Sequence, residues 1–176
     1  MTMPDDVPDR FRWAVDVMQV RPTDRVLEVG SGRGVAAALV AHGLDGGHVL
    51  GLDRSATMTT AALRRNQAHV AAGAVAFRTT SLADVDLPPA SFDVAFAFNV
   101  SLFWTSPARE LAVLARALVP GGRLFVFHQP PSPEKNPAVV EAATRLLTGA
   151  GWTVLETLVA DTSPVESVCL VARHEP

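Results

Sequence analysis

The sequence predicts an α/β domain: a doubly wound, mostly parallel sheet of seven strands, helices on both faces, and a C-terminal antiparallel hairpin. Three observations carry this. Short runs of strand length alternate five times with longer amphipathic segments; the runs are apolar throughout, as strands covered on both faces are; and two further runs end the chain, joined only by Asp161-Thr162-Ser163-Pro164.

The elements follow in order. From Pro8 to Val20, Phe11, Val15 and Met18 recur at helical spacing, with Trp13 and Val17 beside them. A turn signal precedes a buried strand, Arg25 to Val29, and glycines follow at once as Gly30-Ser31-Gly32-Arg33-Gly34. The run from Val35 reads as a helix ended by Gly43, and His48 to Asp53 as a second strand that stops at an acid. Ser55 caps a helix expected to run unbroken to Ala72, before a third strand over Ala74 to Thr80. After a proline break, Phe92 to Asn99 forms a fourth. Ser106-Pro107 supplies a cap and first-turn proline for the next helix, which Pro120-Gly121-Gly122 ends before a fifth strand, Arg123 to His128. A helix from about Ala138 to Thr148 ends at Gly149, and the terminal pair spans Trp152 to Ala160 and Glu166 to His174.

Composition narrows the function. A chain of 176 residues, 48% hydrophobic and only 19% charged, suits one folded domain and excludes disorder. Its longest apolar runs, such as Val35 to Ala41, are less than half of the roughly 18 residues a membrane span needs. Acids stand near the N-terminus where a secretion signal would carry positive charge, so the expected location is the cytoplasm. A net charge of −3 with scattered basic residues gives no stripe for nucleic acid. One cysteine, Cys169, removes disulfides and thiolate zinc sites, and no metal is expected. The only lysine, Lys135, lies in a proline-rich stretch, which argues against P-loop nucleotide hydrolysis and Schiff-base chemistry.

In such sheets ligands bind beyond the carboxyl ends of the strands, so the residues after each run matter most. The glycine loop between strand and helix lets the backbone approach a ligand, and Asp53, 21 residues beyond Gly32, is placed to accept ribose hydroxyls. An adenosine derivative is the expected ligand. A dinucleotide loop wants a glycine where this chain has Val35, its glycine coming one residue early at Gly34, so the spacing disfavours NAD. The absence of tyrosine, and so of a Tyr-Lys pair, opposes an NAD-dependent oxidoreductase further.

At these residues the chain resembles the class I S-adenosylmethionine-dependent methyltransferases, in the small-molecule group often called type 11. VLEVGSGRG looks like the family's first motif, GLDRSATM like its acid-ended second strand, DLPPASFDVAFAFNV like its fourth-strand segment, and LARALVPGGRLFVF like its helix, PGG turn and fifth strand. The resemblance implies a single Rossmann-like domain over residues 1–176, with 1–22 as a helix capping the site and 23–176 as the core. It implies that Gly30, Ser31, Gly32 and Gly34 form the cofactor loop, the first three lining the methionine part, with Glu28 near the ammonium and Asn99 beside the same moiety. Asp53 would hold the ribose, and Arg54 and Met58 would flank adenine. Where relatives carry an acid near the adenine amino group, this chain has Ser81; the Ser81 hydroxyl, the Leu82 backbone or Asp84 would meet the base instead. The plainer alternatives are that Glu28 orders the loop and Met58 fills the core.

Methyl transfer from a sulfonium is an in-line displacement, in which positioning carries much of the work. A base is needed only when the acceptor must lose a proton. His128, after the fifth strand, is the candidate base, its alternative being pocket wall. Trp104 and Trp13 are candidates for the acceptor pocket, with core packing as their alternative. The expected partner is a small-molecule acceptor, with neither nucleic acid nor membrane. A non-catalytic protein that has kept the fold is the competing class.

Overall fold

The computed structural model describes residues 7–105 and 107–175. Its sheet is built from β1 (Arg25–Val29), β2 (His48–Asp53), β3 (Val75–Thr79), β4 (Phe92–Phe98), β5 (Leu118–His128), β6 (Trp152–Ala160) and β7 (Ser167–His174). Six helices join or flank them: α1 (Asp9–Met18), α2 (Val35–Ala41), α3 (Ala56–Arg65), α4 (Gln67–Ala71), α5 (Ala108–Ala117) and α6 (Asn136–Gly149). Among the described residues no helix is long and apolar enough to cross a membrane.

The strand order is β3-β2-β1-β4-β5-β7-β6. Strands β1 to β5 run parallel, and β7 inserts antiparallel between β5 and β6. The chain winds outward from β1 in one direction and from β4 in the other, which opens a crevice between the carboxyl ends of these two neighbours. The pleat sorts successive side chains to opposite faces. Val26, Val94, Phe96, Phe125 and Phe127 pack with Ala14 and Met18 of α1 and with α2. Leu27, Ala95, Ala97, Leu124 and Val126 pack on the other face with Leu111 and Leu114 of α5 and Ala143 and Leu147 of α6.

The expected fold class is the observed one, with local differences. The helix after Ser55 breaks at Asn66, whose fully buried side chain donates from Nδ2 to the carbonyls of Gly34 and Ala62, both at 3.0 Å. This ties the turn between α3 and α4 to the glycine loop. The Pro120-Gly121-Gly122 turn does not precede the fifth strand but interrupts it. Leu118 already pairs with Phe92, and regular pairing resumes at Arg123 opposite Val94, so the turn forms a bulge at which Gly121 takes φ 79°. Strand β4 stops at Phe98 because Asn99 turns left-handed at φ 55°, and a 3-10 turn, Ser101–Trp104, follows. The expected cap Ser106 and residues 1–6 of the N-terminal segment lie outside the described residues.

Gly34 joins the loop to α2 at φ 69°, and a Cβ there would stand 2.6 Å from Asn66 Nδ2 and 2.9 Å from the Phe77 ring. Gly34→Ala is therefore expected to destabilise the fold by about 2 kcal/mol or more, from backbone strain and overpacking together. Urea unfolding measures this, and an unchanged midpoint would show that the junction relaxes freely.

Candidate active site

The site begins with the way the glycine loop is held. The N–H groups of Gly30 and Ser31 both donate to the Leu52 carbonyl, at 2.8 and 2.9 Å, which draws the loop over the end of β2. Asp53 completes the attachment. Its Oδ2 accepts from the Gly32 N–H at 2.8 Å and its Oδ1 from the Ser55 N–H at 2.9 Å, while the Ser55 hydroxyl caps α3 by accepting from the Met58 N–H. Glycine is required at Gly30, where φ is 72° and a Cβ would come within 2.5 Å of Val100.

Glu28 lies beneath this loop on the α1–α2 face of the sheet and is almost wholly buried. Among the described residues its Oε2 has no hydrogen-bond partner, and neither has the buried Ser31 Oγ. Burial pushes the Glu28 carboxyl up to about 8, against a smaller lowering by the Ala37 backbone N–H at the start of α2 and a further raising by the Asp53 charge. The group is thus a neutral acid at pH 7, able to become a carboxylate if a cation arrives.

A cleft of about 480 Å³ opens at the crevice between β1 and β4, well within the usual size of a small-molecule site. Six residues singled out in the sequence line it: Gly30, Asp53, Arg54, Ser81, Leu82 and Asn99. Glu28, Ser31, Gly32, Gly34 and Met58 do not. Of these, Glu28 and Ser31 are buried, Gly32 meets Asp53, Gly34 meets Asn66, and Met58 is half-buried on α3. Asp84 is turned away as well. It accepts from the Ser81 hydroxyl at 2.6 Å and pairs with Arg109 at 3.7 Å, both on the surface.

The three residues assigned to the acceptor do not converge on this cleft. Trp13 packs edge-on to Phe127 at 5.5 Å on the α1 side of the sheet. Trp104 packs against the other core, its ring 4.6 Å from that of His128. The parity of β5 separates them, because Phe127 and His128 are adjacent and point to opposite faces. His128 is largely buried, its Nδ1 has no partner among the described residues, and burial lowers its pKa, so the imidazole is neutral at pH 7.

Two residues were missed. Gln129 organises the end of β5: its N–H donates to Asn99 Oδ1 at 2.8 Å, its Oε1 accepts from Arg10 of α1 at 3.1 Å, and its Nε2 donates to the Thr162 hydroxyl and the Val165 carbonyl. The strand-end rule that selected His128 would have reached it one position later. Glu110, in the first turn of α5, lines the cleft opposite the turn after β3. Only the folded topology brings it there.

A family model described as a methyltransferase domain matches residues 27–126, more than half of the chain. The chain is similar to the uncharacterized methyltransferase YdaC of Bacillus subtilis, 26% identical over 166 residues that cover 92% of this chain and 90% of that one. It is also similar to the demethylmenaquinone methyltransferase of Thermus thermophilus, 32% identical over 128 residues, covering 70% of this chain and a little over half (57%) of that relative. Among solved structures, a SAM-dependent methyltransferase from Aquifex aeolicus shares the fold with a TM-score of 0.75 at 18% identity, covering 94% of this chain and 89% of its own. With the glycine loop, the acid-ended second strand and the seven-stranded sheet in the family's order, the chain belongs to the class I S-adenosylmethionine-dependent methyltransferases.

Proposed function

We propose that the protein binds S-adenosylmethionine in the cleft between β1 and β4 and transfers its methyl group to a small-molecule acceptor in the cytoplasm. The observation that carries this is the gathering of Gly30, Asp53, Arg54, Ser81, Leu82 and Asn99 around one cleft above the buried carboxyl of Glu28, whose Oε2 has no partner among the described residues. Within one domain, α1, tied by Arg10 to Gln129 at the end of β5, acts as the cap while its Ala14 and Met18 pack in the core. Supplied as a sulfonium, the bound group provides an activated methyl carbon: an acceptor lone pair forms the new bond as the carbon–sulfur bond breaks and its electron pair returns to sulfur.

The chain's own residues bind and orient. A carboxylate has about four lone-pair sites, and the two N–H bonds to Asp53 leave about two for the ribose hydroxyls. Glu28 supplies the negative partner for the amino-acid ammonium, with Ser31 beside it under the loop. Gly30 and Gly32 give the backbone room to approach, Gly34 sets the loop's exit into α2, and Asn99 stands over the methionine part. Arg54 and Met58, from the end of β2 and from α3, flank the base. The acceptor approaches at the carboxyl end of β5, where Trp13 and Trp104 stand on the two faces of the sheet, and its orientation supplies much of the rate. His128, neutral and with a free Nδ1, is the group available to take a proton when the acceptor carries one. A non-catalytic binder is the second reading, favoured by the placement of Trp13, Trp104 and His128 outside the cleft lining.

Calorimetric titration with S-adenosylmethionine, its demethylated product and NAD, followed by a turnover screen, tests the assignment. Binding of the first two and not of NAD is expected; micromolar NAD binding alone would contradict it. Asp53→Ala should weaken binding about 10- to 100-fold, since hydrogen bonds to a charged group contribute roughly 1.5–3 kcal/mol. An unchanged dissociation constant in the folded variant would place the ribose elsewhere.

Glu28 yields a pH prediction. Because its pKa is raised from 4.5 to about 8 in the folded protein, its contribution to stability is fully present below pH 4.5 and is lost as pH climbs through 8. Glu28→Gln should remove this loss, so the variant's melting temperature gains on wild type from pH 5 to about 8 and the gain levels off above that. Cofactor affinity has the opposite slope in wild type, rising toward pH 8 as the carboxylate forms. A constant melting difference across that range would remove Glu28 from the account.

If His128 is the base, His128→Ala lowers turnover about 10²- to 10⁴-fold with cofactor affinity nearly unchanged. Burial holds the imidazole below its ordinary value of about 6.5, so the acid limb of the wild-type rate profile should lie below that pH and vanish in the variant. A variant keeping more than about a tenth of the rate would leave His128 as pocket wall.

A further inference from the structure

No acid of the turn after β3 lines the adenine end of the cleft, yet an amino group on a purine needs an acceptor when it is taken out of water. Three carboxylates stand near this end. Asp53 spends one lone pair of each oxygen on the N–H groups of Gly32 and Ser55 and faces the ribose. Asp84 is turned outward to the Ser81 hydroxyl and Arg109, and does not line the cleft. Glu110 does line it, is half-buried, and among the described residues makes no hydrogen bond or ion pair.

Its position is fixed independently of any ligand. The neighbouring Arg109 reaches Asp84, which in turn holds Ser81, so the first turn of α5 is tethered to the turn after β3. Leu82 and Leu111 pack in the same core, which brings both walls to the same face of the sheet. Within a mixed lining, Leu52, Leu82, Val100 and Leu102 supply apolar surface suited to the flat faces of a purine. Glu110 is the one carboxylate besides Asp53 in that lining.

We propose that Glu110 selects adenine by accepting a hydrogen bond from its exocyclic amino group, a task carried by α5 here and not by the turn after β3. This rests on the cofactor reading above and adds a specificity residue to it. A carboxylate accepts and cannot donate, so a base with a carbonyl oxygen in place of the amino group meets repulsion where adenine meets a partner.

The test compares two probes, S-adenosylhomocysteine and S-inosylhomocysteine, whose base carries oxygen in place of the amino group. Calorimetry on the full chain should show wild type preferring the adenosyl compound by at least about tenfold, the scale of one hydrogen bond to a charged group. Glu110→Gln should collapse that preference, since its amide can donate to the oxygen, whereas Asp84→Asn should leave it intact. Glu110 has no hydrogen-bond or ion-pair partner among the described residues, so its substitution is expected to keep the fold, which circular dichroism verifies; Glu110→Ala provides a second loss of the acceptor. A preference that persists in both Glu110 variants, or is absent from wild type, overturns the proposal. If wild type binds neither probe, the cofactor reading itself fails and this one falls with it.

Discussion

The carboxylate of Asp53 is the constraint on which the site depends. It stands at the end of β2 and accepts from Gly32 in one loop and Ser55 in the next, so a single side chain fixes the glycine loop, the start of α3 and the floor of the cleft together. The Leu52 carbonyl reinforces it by taking the N–H groups of Gly30 and Ser31. With these donors satisfied within the protein, the loop is formed before any ligand arrives, and binding need not pay to order it. Asn66 applies a second tether from α3 and α4 by donating to the Gly34 carbonyl.

Charge is handled differently at the two acids beneath and beside the loop. Asp53 is partly exposed and accepts two N–H bonds, whereas Glu28 is buried with an oxygen that has no partner. A buried carboxyl with too few partners lowers its cost by holding its proton, so desolvation outweighs the Ala37 N–H and pushes its pKa up to about 8. The same arrangement makes it responsive, because a cationic group placed against it favours the carboxylate that burial disfavours. The fold thus keeps an acid whose charge would follow that of any group placed against it.

Much of this was legible in the sequence, for reasons that can be stated. Strands β1, β2 and β6 have the expected bounds because their apolar runs end at sharp signals: glycine after Val29, the acid Asp53, and the Asp161 turn. Asp53 was legible because the distance from a glycine loop to the next strand end is set by one helix crossover. What failed was long-range. Nothing local marks Asn66 as the break in a helix, since the carbonyl it meets belongs to Gly34, 32 residues earlier. The glycine pair after Pro120 reads as a turn between elements, although register with Phe92 makes it a bulge within β5. Trp13, on the first helix, and Trp104, in the loop after Asn99, were both candidates for the acceptor pocket, and the pleat at Phe127 and His128 places them on opposite faces. Glu110 enters the cleft only because α5 packs back under the turn after β3.

The central claim is that one preformed cleft, floored by Asp53 and underlain by Glu28, seats the methyl donor. A crystal structure of the complex with S-adenosylhomocysteine tests it most directly. The account predicts the ribose hydroxyls on the Asp53 carboxylate, the amino group on the Glu28 side of the glycine loop, and the loop itself unmoved. A ligand bound with its ribose away from Asp53, or one that enters only after the Gly32 and Ser55 hydrogen bonds to Asp53 have broken, would contradict it.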